Sequence, residues 1–153
     1  MKPLLLSILL LCGVTCFGAD GALQTLSGTT TMATNTTAIV SGIIDGTAVA
    51  NTSLYTIPTG KQFIISQVLI MPTTVTSLVT PSTVSVGKTA STFVDVIAAT
   101  ALTGLTTVNT SAILTPILGS TVFQAGDVVT LRVSVAAVGT AYSFRTILIG
   151  VLL

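Results

Sequence analysis

The chain has 153 residues, of which 6% are charged and 5% aromatic, and its mean hydropathy is +1.00. It has no His, Glu or Trp, and five bases against four acids leave a formal charge of +1. Most soluble domains carry about a quarter of their residues as Asp, Glu, Lys or Arg. This chain therefore has few groups for acid–base catalysis, no basic stripe for a nucleic acid and no imidazole for zinc or copper.

Residues 1–19 read as a secretory signal peptide. Lys2 supplies the positive start, Leu4 to Val14 the apolar core, and Cys16-Phe17-Gly18 a small-x-small cleavage signal. That apolar core is shorter than the roughly 20 residues a bilayer span needs, so no membrane span is expected in the mature chain. Gly13 and Thr15 stand where a lipobox needs a Leu-like and a small residue, which argues against lipidation of Cys16. Both cysteines, Cys12 and Cys16, lie in this leader, so no disulfide is expected after cleavage. Without Lys2, four bases (Lys61, Lys88, Arg132, Arg145) face four acids (Asp20, Asp45, Asp95, Asp127), and the mature net charge is zero.

Residues 20–37 are Thr-rich and poor in bulky side chains, and read as a flexible arm. Residues 38–153 read as one all-β domain, an antiparallel β-sandwich of about eight strands and jelly-roll-like, because Val-, Ile- and Thr-rich runs alternate with Gly, Pro, Asn and Ser. The strands are expected near Ala38–Ile44, Thr52–Ile57, Gln62–Met71, Thr83–Val86, Thr92–Ile97, Ala112–Leu118, Val128–Ala136 and Tyr142–Leu152, with a short piece at Thr121–Phe123. Ile57-Pro58-Thr59-Gly60 suits a type I turn with Pro second and Gly fourth. Gln124-Ala125-Gly126-Asp127 breaks the chain before Val129–Val135, whose alternation predicts Val129, Leu131, Val133 and Val135 inside and Thr130, Arg132 and Ser134 outside. Ala137-Val138-Gly139-Thr140-Ala141 suits a tight hairpin with Gly139 at positive φ.

No catalytic constellation emerges, and no cofactor or metal is expected. Ser85-Val86-Gly87-Lys88 has the S-x-x-K spacing of an acylating dyad, but that dyad needs a helix and this segment reads as strand. Gly87-Lys88-Thr89 lacks the first glycine of a phosphate loop, at Ser82. Lys88 is expected as a solvated loop lysine, and Asp45 and Asp127, each beside a Gly, as turn formers. Asn35, Asn51 and Asn109 each stand in an N-x-[ST] sequon, which matters only in a eukaryotic host. Phe63 to Met71 and Ile147 to Leu153 are apolar on both faces, so Phe63, Ile65, Leu69, Met71, Ile147, Ile149 and Val151 are candidates for an assembly surface.

Tyr55-Thr56-Ile57-Pro58-Thr59-Gly60-Lys61, Phe123-Gln124-Ala125-Gly126-Asp127-Val128 and the closing Ile147-Leu148-Ile149-Gly150-Val151-Leu152 resemble the strand grammar of C1q/TNF-like jelly rolls and of phage and viral fibre heads. That resemblance implies a trimeric jelly roll acting through its surface. It carries over no receptor residues, because the core aromatics and a collagen-like stalk are missing.

The expected function is a secreted, extracellular or cell-surface, non-enzymatic structural or adhesive subunit, assembling with itself as a trimer or filament. A surface glycan or receptor is a further possible partner. The alternative is a small glycan- or ligand-binding module using Tyr55, Tyr142, Phe63, Phe93, Phe123 or Phe144. The third reading is an eight-stranded outer-membrane β-barrel. N-terminal sequencing of exported protein is expected to begin at Ala19 or Asp20, with no free thiol. A mature chain that keeps Cys16 overturns the leader assignment.

Overall fold

The computed structural model describes residues 23–24, 31–32, 36–88, 93–117 and 121–153. The chain divides into two units, Met1–Asn35 and Thr36–Leu153. In the first, β1 (Leu23–Gln24) pairs antiparallel with β2 (Thr31–Met32).

The second unit holds β3 (Thr36–Val40), β4 (Ile44–Asp45), β5 (Ala50–Thr56), β6 (Phe63–Thr76), β7 (Thr83–Gly87), β8 (Ile97–Ala101), β9 (Ala112–Leu114), β10 (Val122–Phe123), β11 (Val128–Val135) and β12 (Ala141–Leu152). Two antiparallel sheets form. In the first, β12 lies between β6 and the pair β3 and β4, and β6 carries β9 and β10 on its other side. The second runs β5-β11-β7-β8. Because β3 and β4 share a partner, as do β9 and β10, each pair acts as one interrupted strand. Eight strand positions result, paired first with last and second with seventh, inward to the adjacent β7 and β8. This nested order is that of a jelly roll. The sheets do not close into one, so the barrel reading is set aside.

Apolar side chains from both sheets fill the space between them. Phe63, Ile65, Val68, Ile70, Phe123, Phe144 and Leu148 come from the first sheet, and Val84, Val86, Val129, Leu131 and Val133 from the second. Tyr142 is buried there too, its hydroxyl lacks a hydrogen-bond partner, and burial pushes its pKa up to about 12.

Among the described residues five register shifts interrupt simple alternation, one between β11 and β5, one between β7 and β8, one between β11 and β7 and two between β12 and β6. Along β6, Ile65 faces Gly150 and Gln67 faces Ile149, so Ser66 is an extra residue, a β-bulge. Its hydroxyl donates to the Ile149 carbonyl at 2.9 Å. Thr73 is a second bulge, between Pro72 opposite Phe144 and Thr74 opposite Ser143, and its hydroxyl meets that of Ser143 at 2.9 Å. Ser134 is the third, in β11 against β7, and it donates to the Thr83 carbonyl at 3.2 Å. Each bulge shifts the side-chain phase by one residue. Hence Val135, expected inside, is 57% exposed, while Val129, Leu131 and Val133 are buried as expected.

Other expectations need correction. Ala137 to Ala141 is not a hairpin, because β11 and β12 lie in different sheets. The segment crosses between them, with Ala137 N–H bonded to Gly46 and Val138 N–H to Thr80. Glycine is required at 139 for close approach rather than positive φ, since a Cβ there would stand 2.9 Å from the Ser77 carbonyl oxygen. The Pro58 turn is shifted by one: Lys61 N–H bonds the Pro58 carbonyl, and Gly60 takes φ 74° at the third position. Its flanking strands also lie in opposite sheets. The strand expected at Thr92–Ile97 begins only at Ile97. Phe93 and Asp95 instead fold over the outer side of Gly87, where a Cβ would strike both residues. Thr130, the cross-strand partner of Gly87, is buried although expected on an open face, and so is Ser85.

Leu131→Ala should lower stability by about 2–5 kcal/mol, and Val135→Ala by no more than about 0.5 kcal/mol, measured by denaturant unfolding. Equal costs would show the Ser134 bulge to be misplaced.

Candidate assembly face

The Ser66 bulge sorts the apolar residues of β6. A bulge-free strand would put Phe63, Ile65, Leu69 and Met71 on one side. The extra residue sends Phe63 and Ile65 into the core and leaves Leu69 and Met71 on the outer face. Two of the seven residues considered for an assembly surface are thus core residues. The consecutive polar pair Ser66-Gln67 inside an apolar run is the sequence signal that marks the bulge.

The remaining five gather on the outer face of the first sheet, joined by residues that the sequence reading missed. One row crosses four strands: Val40, Ile147, Leu69 and Ile113 are successive cross-strand partners. A second row holds Thr36, Val151, Ile64 and Val122. Between them lie Ala38, Ile149 and Gln67, and beyond the first row Arg145 stands opposite Met71. Ile113 is 61% and Val40 56% exposed, while the central Ile147 and Leu69 are half-buried by their neighbours. At one end Asp45, paired with Ser143, adds an acid beside the Arg145 base. The Thr47 hydroxyl and backbone N–H both donate to the Asp45 carboxylate and hold its pKa below the usual value, so it stays charged at neutral pH.

The outer face of the second sheet is polar. Ser53, Thr130 and Gly87 are partners in one row, and Asn51, Arg132 and Ser85 in the next. Asn51 is exposed on edge strand β5, Asn109 is exposed on a loop at φ 68°, and Asn35 lies outside the described residues.

Lys88 is more constrained than a solvated loop lysine. Its ammonium lies 3.0 Å from Asp127 Oδ2, donates to the Val122 carbonyl at 3.4 Å and stands 5.4 Å from the centre of the Phe123 ring. Its backbone N–H donates to both Asp95 oxygens. The Gln124 N–H and Lys88 hold Asp127 below its ordinary pKa, and Gln124 to Asp127 forms the turn expected of it. Lys88 thereby fastens the end of β7 to the turn before β11. Among the described residues, no three His, Cys, Asp or Glu side chains gather as a metal would require.

No protein-family model and no curated protein matches this chain. Among solved structures, a chain of the cyanophage Pam1 capsid asymmetric unit is similar, with a TM-score of 0.52 and 16% identity over 77% of this chain and 85% of that one. The likeness is one of fold, to a viral capsid chain, and lends nothing to the C1q/TNF side of the resemblance.

A carboxylate whose folded pKa is depressed contributes stability above its unfolded pKa, here 3.8, and loses it as pH falls through the lower folded value. The thermal midpoint should therefore drop below about pH 4, and less steeply in Asp127→Asn. Identical slopes in the two proteins would remove Asp127 from the account.

Proposed function

We propose that this chain is an exported, non-enzymatic structural subunit that assembles with copies of itself. The observation that carries the reading is the outer face of the first sheet, aliphatic across four strands where a monomeric sandwich normally shows alternating polar residues to water. A patch of this breadth matches the largest on a typical monomer, which is often a functional surface. The jelly-roll fold, shared with a chain from a phage capsid, suits a building unit. A mature chain of zero net charge has little electrostatic repulsion to keep its copies apart. Export rests on the Lys2 and Leu-rich leader and places the subunit outside the cell or at its surface. A trimer or a filament would each bury the face.

The ligand-binding alternative has less support. It needs an accessible aromatic platform, and Phe63, Phe123, Tyr142 and Phe144 are all buried in the core. Tyr55, which meets the Phe63 ring edge-on, and Phe93 are the partly accessible aromatics among the described residues.

Sedimentation of the exported protein should give a mass of several chains at micromolar concentration. The mass should hold in high salt, because screening weakens ion pairs and leaves apolar contacts intact. A mass of one chain at every concentration overturns the assembly reading.

A further inference from the structure

We propose that the elementary contact of this protein is a two-fold pair, in which the outer face of the first sheet packs against the same face of a second copy. The inference rests on the assembly reading and adds to it the partner and the symmetry.

An apolar face needs an apolar partner surface. A head-to-tail contact would require a second, different apolar patch on the same chain. Among the described residues there is none of comparable breadth. The second sheet presents Asn51, Ser53, Thr130, Arg132 and Ser134 outward, part of it already beneath the Phe93–Asp95 segment. The other exposed aliphatics lie on loops and strand ends, the adjacent Val79 and Val138 forming a much smaller patch. The surface of this chain that can complement the Val40-Ile147-Leu69-Ile113 row is therefore that row itself. A contact made by one patch on both partners is isologous, and it closes as a two-fold pair.

Charge and size agree. The face carries one acid and one base, Asp45 and Arg145, at the same end, so it has no net charge to repel its own copy. Four strands about 4.8 Å apart and six residue steps of about 3.4 Å span a flat area of about 400 Å². That is about half of what each partner buries in a standard interface. Side-chain relief and the surrounding loops supply more, so the face suffices for a modest interface rather than a very large one. A bare trimer has no two-fold axis and is incompatible with this contact. A filament or closed shell built from pairs is compatible.

The test compares the exported wild type with Ile113→Glu, Ile147→Glu and Val79→Glu by sedimentation velocity across micromolar concentrations, with circular dichroism to confirm folding. Ile113 is largely exposed, so its substitution should leave the fold intact even if Ile147→Glu does not. Val79, 75% exposed on a loop, controls for added charge. The expected result is a wild-type dimer, or a multiple of dimers, that Val79→Glu leaves unchanged. Ile113→Glu should raise its dissociation constant at least tenfold. A wild type that assembles equally well with glutamate at 113 and at 147, both folded, overturns the two-fold contact and leaves the assembly reading standing. A trimeric wild type does the same. A monomeric wild type overturns both.

Discussion

The aliphatic outer face of the first sheet depends on where one strand changes phase. A β-strand places successive side chains on opposite faces, so an apolar run of nine residues would have to bury half of itself twice over. The extra residue at Ser66 resolves this for β6. Before it Phe63 and Ile65 enter the core; after it Val68 and Ile70 do, and Leu69 and Met71 face outward. The hydroxyl of Ser66 bonds to the partner strand, satisfying part of the ladder that the bulge disrupts. The Ser134 hydroxyl likewise reaches a partner-strand carbonyl, whereas that of Thr73 meets the Ser143 hydroxyl. At these three bulges a small hydroxylated residue reaches across to the partner strand.

The class of fold was legible in the residues. Val, Ile and Thr without helical spacing imply strands, Val129 to Val133 alternate as they should, and Gln124 to Asp127 turns where Gly and Asp suggest. Less legible was which strands meet. Gly139 and Pro58 look like hairpin residues, yet both lie in crossings between sheets, because nested pairing joins strands far apart in the chain and local turn chemistry carries no record of it. The candidate surface was half legible for the same kind of reason. Its residue types were evident, but their facing depended on a single inserted residue. The fastening of Lys88 to Asp127 spans 39 positions and has no local signature.

The two outer faces divide the molecule's roles. The second sheet is polar and in part roofed by its own loop, so it needs nothing further. The first keeps its aliphatics in rows that extend from edge to edge. With so few charges, the chain lacks the repulsive groups by which soluble sandwiches discourage self-contact. In the proposed two-fold pair, specificity has to come from shape, from the relief of branched side chains and from the two charges at one end, Asp45 and Arg145.

The pairing of first strand with last has a consequence for how such a chain is made. β12 is the centre of the first sheet, holding β6 on one side and β3 and β4 on the other. Until residues 141–152 emerge, neither side of that sheet has its middle, and the core lacks Tyr142, Phe144 and Leu148. Non-local closure of this kind is slow. Until β12 is in place, the strands on either side of it keep unpaired edges. The chain is therefore most exposed to wrong strand pairing in the interval before its last strand docks.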